Sequence, residues 1–126
     1  MPKTPDKTAV FQELKETMSS YSEHLELVTD DEVSYYLNTH HIMKNKKPMF
    51  FGAVQIKKNY VSYHLMPVYV DPTLLDDISD SLKKRMQGKS CFNFTSVDKE
   101  LFSELGLLTE AGYQSYVKAG YIETNT

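Results

Sequence analysis

The chain has 126 residues, of which 40% are hydrophobic and 25% charged, and 14 Lys+Arg against 17 Asp+Glu leave a net charge of −3 at pH 7. These proportions fit one globular domain and exclude a disordered chain, and the acidic balance argues against generic nucleic-acid binding. The single cysteine, Cys91, excludes an intramolecular disulfide, and no apolar run approaches the length needed to span a bilayer.

The first periodic segment covers 5–25. Val10, Phe11, Leu14, Met18, Tyr21 and Leu25 recur at steps of three and four, which puts them on one helical face. Thr4 is placed to cap this helix and Pro5 to open it. Two short strands follow, the first carrying Leu25 and Leu27, the second Val33, Tyr35 and Leu37, with Asp30-Asp31 as the turn. Residues 44–48 are basic and polar and read as an exposed loop.

The strongest strand signal lies in 49–56 (MFFGAVQI) and 60–70 (YVSYHLMPVYV), separated by Lys57-Lys58-Asn59, which predicts an antiparallel hairpin over 49–70. Alternation in the second strand puts Val61, Tyr63, Leu65 and Tyr69 on a core face. Tyr60, Ser62, His64, Met66 and Val68 fall on a mixed face. Pro67 cannot donate to a ladder, so this strand is expected at an edge or to end nearby.

Asp71-Pro72 signals a helix with Leu74, Leu75, Ile78, Leu82 and Met86 as its buried stripe, stopped by Gly88. Cys91–Phe94 reads as a short strand, followed by a helix over 97–105 that ends at Gly106 and another over 110–119 that starts at Thr109. Strands close in sequence, followed by helices, predict an α+β domain: an antiparallel sheet covered by an N-terminal helix and C-terminal helices.

His64 is the first candidate for chemistry, because it lies on the mixed face beside Ser62. No carboxylate nearby in sequence completes a triad, so a hydrogen-bonded sheet histidine is the ordinary reading. His40 and His41 are expected to point to opposite faces and so to be poor joint ligands. Cys91 follows Lys89 in GKSCFNF, where a lysine favours a thiolate, although buried free cysteine is the commoner state. Gly88-Lys89-Ser90 ends like a phosphate-binding loop but lacks the upstream glycine and strand. Asp76, Asp77 and Asp80 can bind hard cations, and they equally suit the start of a solvated helix. Residues 44–89 hold nine of the 14 Lys+Arg and four of the 17 Asp+Glu, an asymmetry that can mark an anion site.

Two segments, KNYVSYHLMPVY (58–69) and GKSCFNF (88–94), joined by an Asp-Pro helix signal, resemble the YdhG-like family of small bacterial proteins, a family of unknown function. The resemblance extends over essentially the whole chain. It implies a single α+β domain over 1–126, and no particular activity. Some relatives are described as frataxin-like iron chaperones, which makes iron bound through Asp76, Asp77 and Asp80 an alternative.

The residues lead first to a non-enzymatic binding module for a small, perhaps anionic, ligand or a protein partner. Its expected site combines Lys58, Tyr60, Ser62, His64, Met66, Lys89, Cys91 and Asn93. The alternatives are the iron chaperone and a small enzyme using His64 or Cys91. No cofactor, nucleic acid or membrane is expected as a partner, and the chain reads as a monomer or homodimer. An amphipathic rather than apolar N-terminal segment implies no signal peptide and a cytoplasmic location.

Overall fold

The structure, a computed structural model, describes residues 7–122. The expected Thr4 cap and Pro5 lie outside them. The fold is α+β, as the sequence predicts. Helix α1 (Lys7–Ser19) and a 3₁₀ turn (Ser22–His24) lead into strands β1 (Glu26–Asp30), β2 (Ser34–Ile42), β3 (Pro48–Ile56) and β4 (Val61–Leu65). Short helices α2 (Pro67–Val70) and α3 (Asp80–Lys83) flank a second 3₁₀ turn (Pro72–Leu75), before β5 (Met86–Gln87), β6 (Cys91–Phe94) and helix α4 (Lys99–Ala119). All pairings are antiparallel, in the order β1-β2-β3-β4-β6-β5.

One face of the sheet carries the core. Tyr35, Leu37, Phe51, Val54, Val61, Tyr63, Leu65, Phe92 and Phe94 are buried with Val10, Phe11, Leu14 and Met18 of α1 and with Phe102, Leu105, Leu108 and Tyr116 of α4. The Tyr63 hydroxyl shares a 2.6 Å hydrogen bond with Thr109, whose own hydroxyl donates back to the Leu105 carbonyl at 2.8 Å. Phe51 meets Tyr113 and Tyr116 edge-on, with centroids 6.2 and 5.8 Å away.

The hairpin forms as expected, with Ala53 opposite His64 and Val54 opposite Tyr63. Its second strand stops at Leu65, earlier than the sequence suggests. Met66 adopts helical backbone angles, and Pro67 opens α2 at a position where a missing N–H costs nothing. Alternation therefore ends there. Tyr69, expected in the core, is 54% exposed, while Val68, expected on the mixed face, is buried.

The helix expected from Pro72 to Met86 is broken. Ser79 takes an extended conformation, caps α3 by accepting from the Leu82 N–H, and directs its N–H and hydroxyl to the Glu104 carboxylate at 2.6 and 2.7 Å. Gly88 does not stop a helix but turns the β5–β6 hairpin at φ +79°. The two expected C-terminal helices are one. Gly106 continues α4, and Thr109, read as a cap, lies mid-helix with its hydroxyl bound back to Leu105. Gly120 does end α4, in the left-handed conformation.

Gly112 is where α4 crosses α2. A Cβ built there would lie 2.8 Å from the Cβ of Pro67 and 3.1 Å from its Cγ. Alanine favours a helix over glycine by roughly 1 kcal/mol. Overpacking against a rigid pyrrolidine ring costs about 1–3 kcal/mol. Gly112→Ala is therefore expected to lower the urea midpoint despite its better propensity, and an unchanged or higher midpoint would show that Pro67 can move aside.

Candidate functional site

Among the described residues no helix packs on the other face of the sheet. Side chains there follow from the same alternation: Ser34, Tyr36 and Asn38 on β2, Phe50, Ala53 and Gln55 on β3, Ser62 and His64 on β4, Cys91 and Asn93 on β6. None of these carries a formal charge at neutral pH when His64 is neutral, and Glu26 of β1, opposite Asn38, adds a carboxylate toward the edge of this face.

A β-bulge shapes this face. Leu37 pairs with Gly52 but Asn38 pairs with Phe50, so Phe51 is the extra residue. Phe51 and Gly52 both turn to the core, where a Cβ on Gly52 would meet Met18 Cε at 2.6 Å and the His64 carbonyl at 2.8 Å. Phe50 is thereby brought toward Ala53 on the outer face. Its ring stacks on Tyr36 with centroids 4.7 Å apart and meets His64 edge-on at 4.8 Å. The three rings form a row across three strands, above the small side chain of Ala53, which pairs laterally with both Tyr36 and His64. Beside the row, Asn38 buries its side-chain oxygen without a hydrogen-bond donor among the described residues.

His64 is held by Ser90, whose hydroxyl lies 2.7 Å from Nε2. Burial holds the imidazole below its ordinary pKa, so the ring is neutral at pH 7. The Leu65 N–H donates to the Ser90 carbonyl at 2.9 Å. Leu65/Ser90 is thus a hydrogen-bonded pair and the neighbouring His64/Cys91 a non-hydrogen-bonded one, in which side chains come closest. The strand pairing that brings Cys91 beside His64, and Asn93 beside Ser62, is therefore present. Ser90 itself is buried, and no carboxylate among the described residues orients the ring.

The other expected site residues scatter. Lys58 lies in the β3–β4 turn, its carbonyl accepting from the Lys7 ammonium, and Lys89 lies in the β5–β6 turn at the opposite end of β4. The strand rise separates them by more than ~15 Å. Tyr60 precedes β4 and is half-buried, and Met66 packs against the margin of the core rather than on the outer face. Asp76, Asp77 and Asp80 are exposed, and among the described residues no three His, Cys, Asp or Glu side chains form a group able to hold a metal ion.

His40 and His41 lie in a stretch where the β2–β3 register shifts, between Asn38 and Ile42. The buried Thr39 hydroxyl donates to the Met49 carbonyl at 2.9 Å and accepts from the His41 N–H at 3.2 Å. Both histidines line one cleft with Glu23 and His24. Tyr36 and Phe50 were missed in the sequence. Their signal was phase: each alternates with a core neighbour, Tyr35 and Phe51 respectively. His64 lines none of the four leading surface cavities among the described residues.

No helix among the described residues is long and apolar enough to cross a membrane. Comparison with protein-family models, with curated proteins and with solved structures returned no match.

Proposed function

We propose that this protein is a non-enzymatic binding module whose helix-free sheet face holds a small, planar, uncharged ring system. The observation that carries this reading is the Tyr36–Phe50–His64 row. Ring pairs gain about 0.5–1.5 kcal/mol beyond their buried area. A flat ligand laid on the row gains such contacts without meeting a charge within the row, and Gln55, Ser62 and Asn93 beside it offer hydrogen bonds to its edge. Catalysis has less behind it. His64 is tied to the buried Ser90, and neither has a carboxylate partner among the described residues. The iron-chaperone alternative drawn from the YdhG-like resemblance lacks a convergent carboxylate group among the described residues.

A thermal-shift panel of neutral planar compounds (adenine, nicotinamide, lumichrome) tests the reading, since a ligand that binds only the folded state raises its melting temperature. At least one is expected to raise it in the wild type and not in Phe50→Ala. Equal shifts in both proteins would remove the ring row from the site.

A further inference from the structure

At the Lys89 end of β4, α2, the second 3₁₀ turn and the β5–β6 hairpin enclose a separate groove. Its volume is about 410 Å³, and its walls are Val68, Tyr69, Pro72, Leu75 and Met86. This is within the size range of small-molecule sites, which are mostly apolar with a few placed polar groups. The polar groups here are concentrated at one end. Lys89 lines the groove and enters neither of the ion pairs among the described residues. The backbone N–H groups of Gly88 and Lys89 donate to no backbone acceptor among the described residues. Gly88, held at φ +79°, lines the groove too, and a Cβ there would meet nothing within 4 Å. Lys83, Lys84 and Arg85, which precede β5 in the chain, are exposed and do not line the groove. Asp71 and Asp76 flank the 3₁₀ turn in the chain without lining the groove, and Asp71 is engaged by Thr73.

We propose that this groove binds a small amphiphilic monoanion, a medium-chain carboxylate, with its hydrocarbon body along the apolar walls and its head group at Lys89 and the Gly88–Ser90 turn. The charge arrangement selects this occupant. A cation would face Lys89, and the one charged residue in the lining matches a single negative charge. An uncharged hydrocarbon would leave the ammonium and the free N–H groups without a partner. The inference is independent of the ring row, since none of the groove residues belongs to that row.

The test is titration of the full chain, ¹⁵N-labelled, with octanoate, decanoate, decanol and acetate. Decanoate is expected to shift the amides of Gly88, Lys89 and Ser90 to saturation. Each added methylene should tighten binding about three- to fourfold, and acetate should not bind measurably. Decanol is expected to bind up to about fivefold more weakly than decanoate, the worth of one exposed charge contact. Lys89 is exposed, so Lys89→Glu should fold normally and lose at least tenfold in decanoate affinity. Equal affinity for decanol and decanoate, or no loss in Lys89→Glu, would overturn the assignment. So would decanoate shifts confined to Tyr36, Phe50 and His64, or no saturable shift at all. If diluting the protein alone moves the groove amides, a second copy occupies the groove and the small-ligand assignment also fails.

Discussion

Phe51→Ala is expected to cost about 3–5 kcal/mol of folding stability, the usual range for deleting a fully buried aromatic ring. Phe51 is 0% exposed and lies against Tyr113 and Tyr116 of α4. It is also the extra residue of the β3 bulge. The substitution therefore removes aromatic contacts between β3 and the long helix, and leaves a void in the core. A domain of this size holds about 5–15 kcal/mol in total, so the variant should sit near its unfolding threshold at 37 °C. Urea denaturation measures the loss directly. A change below about 1 kcal/mol would mean that Phe51 does not pack where the bulge directs it.

The second large effect is alkaline. Burial, opposed by the hydrogen bond to Thr109, pushes the Tyr63 hydroxyl far above its ordinary pKa. Tyr116 is pushed in the same direction by burial, with a smaller contribution from Tyr121, and its hydroxyl donates to the Phe50 carbonyl at 2.9 Å. In the unfolded chain both tyrosines lose their protons near pH 10, while the folded protein keeps them. Between these limits the folded state binds more protons, so stability falls as pH rises. It is fully present below pH 10 and is lost above it, by about 1.4 kcal/mol per pH unit for Tyr63 alone. Tyr116 adds to the slope. Denaturation midpoints at pH 9, 10 and 11 should be level and then drop. Tyr63→Phe should flatten the drop while costing about 1 kcal/mol at pH 7 for the lost hydrogen bond. A midpoint unchanged from pH 9 to pH 11 would contradict the burial of both hydroxyls.

The sheet was legible because its strands advertise themselves. The β3–β4 hairpin is a pair of aromatic and β-branched runs with a short polar break, and Cys91–Phe94 is a compact version of the same pattern. What the sequence hid was long-range. Val68, Tyr69 and Val70 are good strand formers, but the chain turns helical at Pro67, where α2 packs on Gly112. Ser79 breaks its helix because Glu104, 25 residues away, accepts both its N–H and its hydroxyl. Thr109 resembles a cap in isolation, yet its side chain serves Tyr63, 46 residues earlier.

The candidate site was half legible for the same reason. Alternation within β4 put Ser62 and His64 on one face, and the structure agrees. Alternation says nothing of which residues on other strands stand beside them. That depended on the bulge at Phe51, which aligns Phe50 with Tyr36 and His64, and on the β4–β6 pairing, which adds Cys91. Lys58 adjoins the hairpin in sequence and Lys89 joins the expected site only through pairing of the 90–94 strand; that pairing forms, but its direction sends the two lysines to opposite ends of β4.

The claim that the helix-free face is the binding surface is tested most directly by the ring signals of Tyr36, Phe50 and His64 in ¹H–¹³C spectra during titration with adenine, nicotinamide and lumichrome. The structure predicts that at least one compound shifts all three rings to saturation with a single dissociation constant, while Tyr69 and Met86 in the separate groove stay in place. Ring signals that remain unmoved by every compound, or that move only after the groove has saturated, would contradict it.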